Sequence, residues 1–326
     1  MNDQSIKKKR LGKSGIEITG LGLGLWAAGG EEWGSVNDRE ILNTIDKALD
    51  RGVNFFDTAD IYGKGHSEKL LGKTMKGRRE KFIVATKIGW DGFDWENLVT
   101  AYKTPQKLLK GIEENLRRLN TDYIDVMQSH IFFQDATMEI FLEVFQKLKK
   151  DGKIRAYGTS TSDIGYLKAF NSDGNCASLQ IDYSILNRTP ELDIFQYCQK
   201  NDIGVIVRGP LAMGILTGKF KKNTKFGEDD FRQSWNKNPK EYETFLLDLR
   251  KVEKLKTFTK DGFIARLALQ FVLSHPAVTS AIPGAKNVKQ LEENLAVTSL
   301  PLLTAEQLEE IEKITPIGGG RKIWPA

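Results

Sequence analysis

From Asn37 onward, apolar residues follow two patterns in turn. Stripes at helical spacing are separated by short, continuous apolar runs. The first stripe is Ile41, Ile45, Ala48 and Leu49, opened by Asn37 and stopped by Gly52; the run 53–56 follows it. A short helix over 67–75 leads to a strand at 82–86. Thr104 caps a helix that carries Pro105 in its first turn and faces Leu108, Leu109, Ile112, Leu116 and Leu119 inward. The strand 123–127 comes next. Thr137 starts a helix with Ile140, Phe141, Val144, Phe145 and Leu148 inward, closed by Gly152. The pattern continues with a strand at 154–158, a helix at 164–170 and a strand at 178–182. A helix at 191–200 and a strand at 204–207 follow. After a long gap come a helix at 263–274, a strand at 278–282 and a helix at 288–297. Thr304 and Gln307 form a capping box for a last helix through Ile314.

Counted from Leu21, this makes eight strands with a helix after each. Most of the strands are apolar throughout, as expected when helices cover them. Alternating β and α elements predict a parallel sheet. Eight units without a clear linker predict one closed (β/α)8 TIM barrel, a single domain spanning residues 1–326. An open, doubly wound sheet with a second domain is the alternative. Residues 9–18 read as a hairpin turning between Gly12 and Gly15, placed to plug the N-terminal end of the barrel. After the seventh strand, more than 50 residues separate Val207 from Phe263, where such loops usually have about 2–6. Residues 226–240 read as polar loop and 242–258 as helix. This insertion is either a lid over a ligand or a decoration.

Composition narrows the function classes. The chain has 326 residues, 40% hydrophobic and 28% charged, which is ordinary for a globular protein. A net charge of +5, with both signs interspersed, argues against a nucleic-acid partner and suits an anionic small ligand. Cys176 and Cys198 form no CxxC and read as free thiols. With no signal pattern and no apolar run near 18 residues, the expectation is a cytoplasmic protein without a membrane partner. No His, Cys or acidic group has metal-ligand spacing, so no metal is expected. Two nucleotide-binding patterns are incomplete. Gly22, Gly24 and Ala27 match the dinucleotide fingerprint, but loop follows where a helix must open. Gly72-Lys-Thr lacks the earlier P-loop glycine, since Ser67 stands there.

The chemistry concentrates at strand ends. Asp57, Lys87 and His130 close strands two, three and four, and Tyr62 follows in the loop after strand two. In a barrel, adjacent C-terminal strand ends form one site. Free tyrosine, with a pKa of about 10, is a poor acid at neutral pH. An ammonium beside it favours the phenolate and lowers that value. Asp57 can hold the lysine, and an imidazole can orient a carbonyl oxygen. Each residue alone is unremarkable; four complementary types on adjacent strand ends point to proton transfer to oxygen.

The segment 57–72, DTADIYGKGHSEKLLG, resembles the DTAxxYGxxxSExxLG signature of the aldo-keto reductase family, and the resemblance covers nearly the whole chain. It implies a catalytic tetrad at Asp57, Tyr62, Lys87 and His130, with Tyr62 as general acid and NADPH delivering hydride to a carbonyl carbon. Residues 157–161, YGTST, resemble the family's GxSN, so Ser160 is implied to bind the nicotinamide carboxamide, with Thr161 replacing the usual asparagine. Gln180 resembles the glutamine that reads the same amide. Arg208 stands where many members place a stacking tyrosine. Leu211 and Gly214 (LAMG), with Lys219 (LTGK), resemble the segment around the pyrophosphate. Gly284, Lys286 and Gln290, with Glu293 and Asn294, resemble the adenosine-phosphate motif. Gln290 replaces an arginine that often faces the 2′-phosphate. Trp26 joins these cofactor contacts. The aromatic candidates for the pocket are Trp26, Trp33, Trp90, Trp95, Phe132, Phe133 and Trp235. The implied partner is a small carbonyl compound or sugar. A cofactor-binding partner subunit, like the potassium-channel β-subunits, is the alternative function.

Overall fold

A computed structural model of the chain describes residues 6–30, 33–34, 36–89, 91, 102–130, 137–259 and 262–321. At the N-terminus, β1 (Lys8–Arg10) and β2 (Glu17–Thr19) pair antiparallel. Their turn ends on Gly15, whose φ of 72° suits glycine. Eight further strands form one parallel sheet in chain order. They are β3 (Leu23–Gly24), β4 (Phe55–Asp57), β5 (Ile83–Ile88), β6 (Ile124–His130), β7 (Ile154–Ser160), β8 (Ser178–Asp182), β9 (Gly204–Arg208) and β10 (Val278–Ala281). The sheet closes on itself: Leu21 bridges Ala281 and Gly24 bridges Gly284 in parallel. The Gly22 amide donates to the Ala281 carbonyl at 2.9 Å, and the Ala281 amide to the Gly20 carbonyl at 3.0 Å.

Helices cover the outside. They are α1 (Asp38–Asp50), α2 (His66–Met75), α3 (Pro105–Leu119), α4 (Thr137–Lys150), α5 (Ile164–Phe170) and α6 (Ile194–Lys200). The C-terminal part adds α7 (Ser234–Lys237), α8 (Pro239–Leu255), α9 (Ile264–Ser274), α10 (Val288–Leu295) and α11 (Ala305–Ile314). Several start on caps visible in the sequence. The Asn37 side chain accepts from the amides of Arg39 and Glu40, and Thr104 accepts from Lys107. Thr304 and Gln307 cap reciprocally.

Three expectations need correction. The first barrel strand, counted from Leu21, is only Leu23–Gly24, with Leu21 making an isolated bridge to Ala281. The fingerprint-like glycines have another role. A Cβ on Gly24 would lie 2.6 Å from the Ile282 carbonyl oxygen, and one on Gly22 would lie 2.8 Å from Phe55. They let β3 approach both neighbours where the barrel closes, and only a single 3-10 turn, Ala27–Gly29, follows them. The stretch read as loop in the insertion contains the turn Phe231–Gln233 and α7, and α8 begins earlier than expected. Asn238 caps α8 through the amides of Lys240 and Glu241, with Pro239 at the first position. Finally, the helix before β9 starts at Ile194, because Thr189–Glu191 forms a separate 3-10 turn.

The barrel floor is apolar. Phe55, Ala85, Val126, Ala156 and Ile206, from five different strands, cluster with Leu11, Ile16 and Ile18 of the hairpin. Leu11 and Ile18 are fully buried, so the hairpin is a plug and not an appendage. Gly24→Val at the closing seam should destabilise the fold by about 1–3 kcal/mol, the range of an overpacked core site. Urea unfolding checks this; an unchanged midpoint would contradict the seam assignment.

Candidate active site

Strand periodicity builds the site on that floor. Side chains two residues apart face the same way. Two residues beyond Phe55, Ala85, Val126 and Ile206 come Asp57, Lys87, Gln128 and Arg208. In the strand register Lys87 is opposite Gln128, Ser160 opposite Gln180, and Asp182 opposite Arg208. Polar side chains therefore follow the apolar ones toward the C-terminal end of the barrel. His130 ends β6, in register with Ser160.

The Lys87 ammonium is the centre of this polar group and is fully buried. It donates to Asp57 Oδ1 at 2.7 Å, to the Thr58 carbonyl at 2.8 Å and to the Tyr62 hydroxyl at 3.1 Å. Its three protons are thus all placed. The second oxygen of Asp57 accepts from Gln180 Nε2 at 2.7 Å. Burial alone would lower the Lys87 pKa, but Asp57 and Tyr62 outweigh it and hold the ammonium above its ordinary range. Burial pushes Asp57 up and outweighs the Lys87 charge and the donors from Lys87 and Gln180, so the net shift is upward. A donor on each oxygen favours its charged form against that burial.

Tyr62 behaves differently from the sequence expectation. Lys87 does draw its pKa down, but burial is the larger effect and the net shift is upward. The phenol holds its proton through neutral pH. Burial, followed by the charges of Lys87 and Arg208, depresses His130 well below the ordinary imidazole range, so its ring is neutral. The two rings meet edge to face, centroids 6.0 Å apart. On its other side Tyr62 stacks with Trp26 at 5.9 Å and 19°.

The polar group opens into a cavity of about 710 Å³. Asp57, Tyr62 and His130 line it, with Lys87 behind them. All twelve residues expected on the cofactor side also line it: Trp26, Ser160, Gln180, Arg208, Leu211, Gly214, Lys219, Gly284, Lys286, Gln290, Glu293 and Asn294. The Gln290 side-chain oxygen Oε1 accepts from the Lys286 backbone N–H at 2.9 Å, and Lys286 Nζ donates to the Trp33 carbonyl. Lys219 and Glu293 lie 3.8 Å apart at the exposed mouth. Among the described residues, no group of three His, Cys, Asp or Glu side chains is placed to hold a metal ion.

A family model described as Aldo/keto reductase family matches residues 20–316. The chain belongs to the aldo-keto reductase family. It is 33% identical to the aldo-keto reductase YhdN of Bacillus subtilis, over 90% of this chain and 89% of that one. It is 31% identical to the NADH-specific methylglyoxal reductase of Escherichia coli, over 92% and 96%. Among solved structures, the holo form of an aldo-keto reductase from Bacillus halodurans superposes with a TM-score of 0.80 at 29% identity, covering 98% of this chain and all of that one.

In this aldo-keto reductase, Thr161, which replaces the usual asparagine, is buried, and its hydroxyl accepts from the Asp163 amide at 3.1 Å. One expected pocket aromatic does not line the cavity. Trp235 is 5% exposed and packs inside the insertion against Phe226, Phe231 and Phe245. Trp90, Trp95, Phe132 and Phe133 lie outside the described residues. Arg232 and Arg266 line the cavity and were not anticipated. Arg232 belongs to the polar stretch read as loop, where no periodicity points a side chain anywhere. Arg266 lies on α9, where it stands out only as a charge on an otherwise apolar helix.

Lys87→Met would leave the Asp57 carboxylate buried without its counter-ion. Unfolding free energy should fall by about 3–5 kcal/mol, as for other broken buried pairs. Calorimetry or urea unfolding reads the effect, and the double variant with Asp57→Asn should recover part of it.

Proposed function

We propose that this aldo-keto reductase interconverts the carbonyl of an aldehyde, ketone or sugar with the corresponding alcohol, and that Tyr62 gives and recovers the proton. When bound in this cavity, NADPH would supply the hydride. The observation that carries the reading is the Lys87 ammonium, which lies between Asp57 and the Tyr62 hydroxyl at the floor of the cavity. As a carbonyl oxygen gains negative charge, Tyr62 can pass it a proton, and Lys87 stabilises the phenolate left behind. Asp57 keeps Lys87 in place and balances its charge. Neutral His130 can hold the same oxygen by a hydrogen bond without competing for the proton. Ser160 and Gln180 beside the tetrad suit a carboxamide.

The charge of the cavity favours a polyanionic dinucleotide. Its described wall carries Lys219, Lys286, Arg208, Arg232 and Arg266, against the acids Asp57 and Glu293. We assign the 2′-phosphate to the Lys286 end. Lys286→Ala should weaken NADPH about tenfold and NADH little, an effect of the size of one charge-assisted contact. Equal losses by fluorescence titration would move that phosphate elsewhere.

Tyr62→Phe tests the acid assignment. Carbonyl reduction, followed at the nicotinamide absorbance over an aldehyde, ketone and sugar panel, should drop by about 10²–10⁴-fold. NADPH binding should stay within about twofold, since the phenol proton is not one of its anion contacts. Wild-type turnover in that variant would remove Tyr62 from the role. If the wild-type chain bound NADPH tightly and turned over nothing in the panel, the partner-subunit reading would take its place.

The pKa directions set the pH profile. The acid form of Tyr62 is the active one for reduction, and its raised pKa keeps that form populated through neutral pH. Reduction should therefore stay level from about pH 6.5 to 9 and fall only in the alkaline range above ~10. Alcohol oxidation needs the phenolate and should rise with pH. His130, depressed below its ordinary value, should add no break near ~6.5. A break there in kcat would show that its ring charges during turnover.

A further inference from the structure

The last described residues reach the active site through a continuous run of side chains. The segment after α11 is fastened to the loop that follows β8. Arg188 donates to the Thr315 carbonyl at 2.8 Å, the Arg188 amide to Gly319, and the Arg321 amide to Leu186. Gly320 fits against that loop with a φ of 135°, where a Cβ would lie 2.1 Å from the Leu186 carbonyl oxygen. The backbone that presents Arg321 is therefore held in place.

The Arg321 side chain reaches into the insertion. Its guanidinium lies 4.4 Å from the Trp235 ring centroid. Nε is 3.5 Å from Asp248 on α8, and Nη2 donates to the Glu241 carbonyl at 3.3 Å. Both charged side chains are nearly buried, at 10% and 3% exposure, so solvent screens the pair weakly. A planar guanidinium can stack on the ring face while its edge pairs with the carboxylate.

From Trp235 the contacts continue to the phenol. Trp235 meets Phe231 edge to face at 6.3 Å, Phe231 stacks on Trp26 at 5.7 Å and 15°, and Trp26 stacks on Tyr62. The insertion also lines the cavity beside this column, through Met213, Lys219, Phe220 and Arg232. Asp230 pairs its backbone with Trp33, on the loop after β3, while Arg232 Nη1 donates to the Met213 carbonyl.

We propose that Arg321 is a positioning residue for dinucleotide retention: through Trp235 and Asp248 it clamps the insertion over the cavity. It touches neither substrate nor cofactor and acts through the insertion alone. The inference rests on the cofactor reading given above.

Stopped-flow release of NADPH from the full chain tests it, using tryptophan-to-nicotinamide energy transfer as the signal. Arg321→Met keeps bulk and removes the charge; Asp248→Asn keeps shape and removes the partner. Both should speed NADPH release on the order of tenfold, the scale of a lost cation–π contact and ion pair. Arg321→Lys should recover part of the loss with Asp248 present. The single-turnover rate of carbonyl reduction at saturating NADPH should stay at the wild-type value, which a general loosening of the barrel would not allow. Release at the wild-type rate in both folded variants overturns the inference alone. A wild-type chain that binds no dinucleotide overturns the cofactor reading and this inference with it.

Discussion

The buried ammonium of Lys87 is the constraint on which the rest of the barrel depends. A lone ammonium at zero exposure is strongly disfavoured, and so is a lone carboxylate. Each is tolerated here because the other is 2.7 Å away, with Thr58, Tyr62 and Gln180 completing the hydrogen bonds. That arrangement needs β4, β5 and β8 in one register. A slip of one residue in β5 would turn Lys87 out toward the helices and leave Asp57 unpaired. The site and the fold are thus not separable. The same alternation that drops Phe55 and Ala85 onto the hairpin plug lifts Asp57 and Lys87 into the cavity.

Tyr62 is where two environments meet. Its hydroxyl faces Lys87 and its ring faces the aromatic stack of Trp26 and Phe231. The stack desolvates the phenol, and desolvation holds the proton on. Lys87 opposes this, but Asp57 takes up part of its field, and the net shift stays upward. A carbonyl oxygen entering the pocket would meet a donor whose proton is held at neutral pH, next to a cation able to stabilise its loss. The tuning therefore lies in the balance between burial and a partly neutralised cation, and neither factor alone sets it.

Much of this was legible in the sequence, for reasons that differ by element. The eight strands and their helices were readable because caps such as Asn37 and Thr104, and stops such as Gly52, are local. The grouping of Asp57, Lys87 and His130 was readable because they are polar residues at the ends of apolar runs, with Tyr62 in the loop just beyond the first of them. The insertion was harder. Residues 226–240 have neither helical nor strand spacing, so α7 and the inward course of Arg232 depend on tertiary packing alone. Trp235 looked like a pocket aromatic because its burial among the aromatic side chains of the insertion leaves no mark in sequence. Gly22 and Gly24 resembled a phosphate-binding turn, because a close backbone approach needs glycine whether the neighbour is a pyrophosphate or the Ile282 carbonyl.

The two ends of the cavity differ in charge, and the difference bears on mechanism. At the reacting end, Lys87 is balanced by Asp57, Arg208 faces Asp182 across the strand pair, His130 is neutral and Tyr62 is protonated. At the far end burial, and then the neighbouring charge of Arg232, lower the pKa of Lys286, and Asp230 offsets this only in part. In the proposed reaction, affinity for a polyanionic cofactor would then come from the far end, while the reacting end stays nearly balanced and free to respond to charge that develops only in the transition state. Binding energy remote from the reacting atoms can be used to place the hydride donor without also stabilising the ground state of the carbonyl. On this division, substitutions in the loops that contact substrate can change which carbonyl enters while leaving both the tetrad and the phosphate end intact.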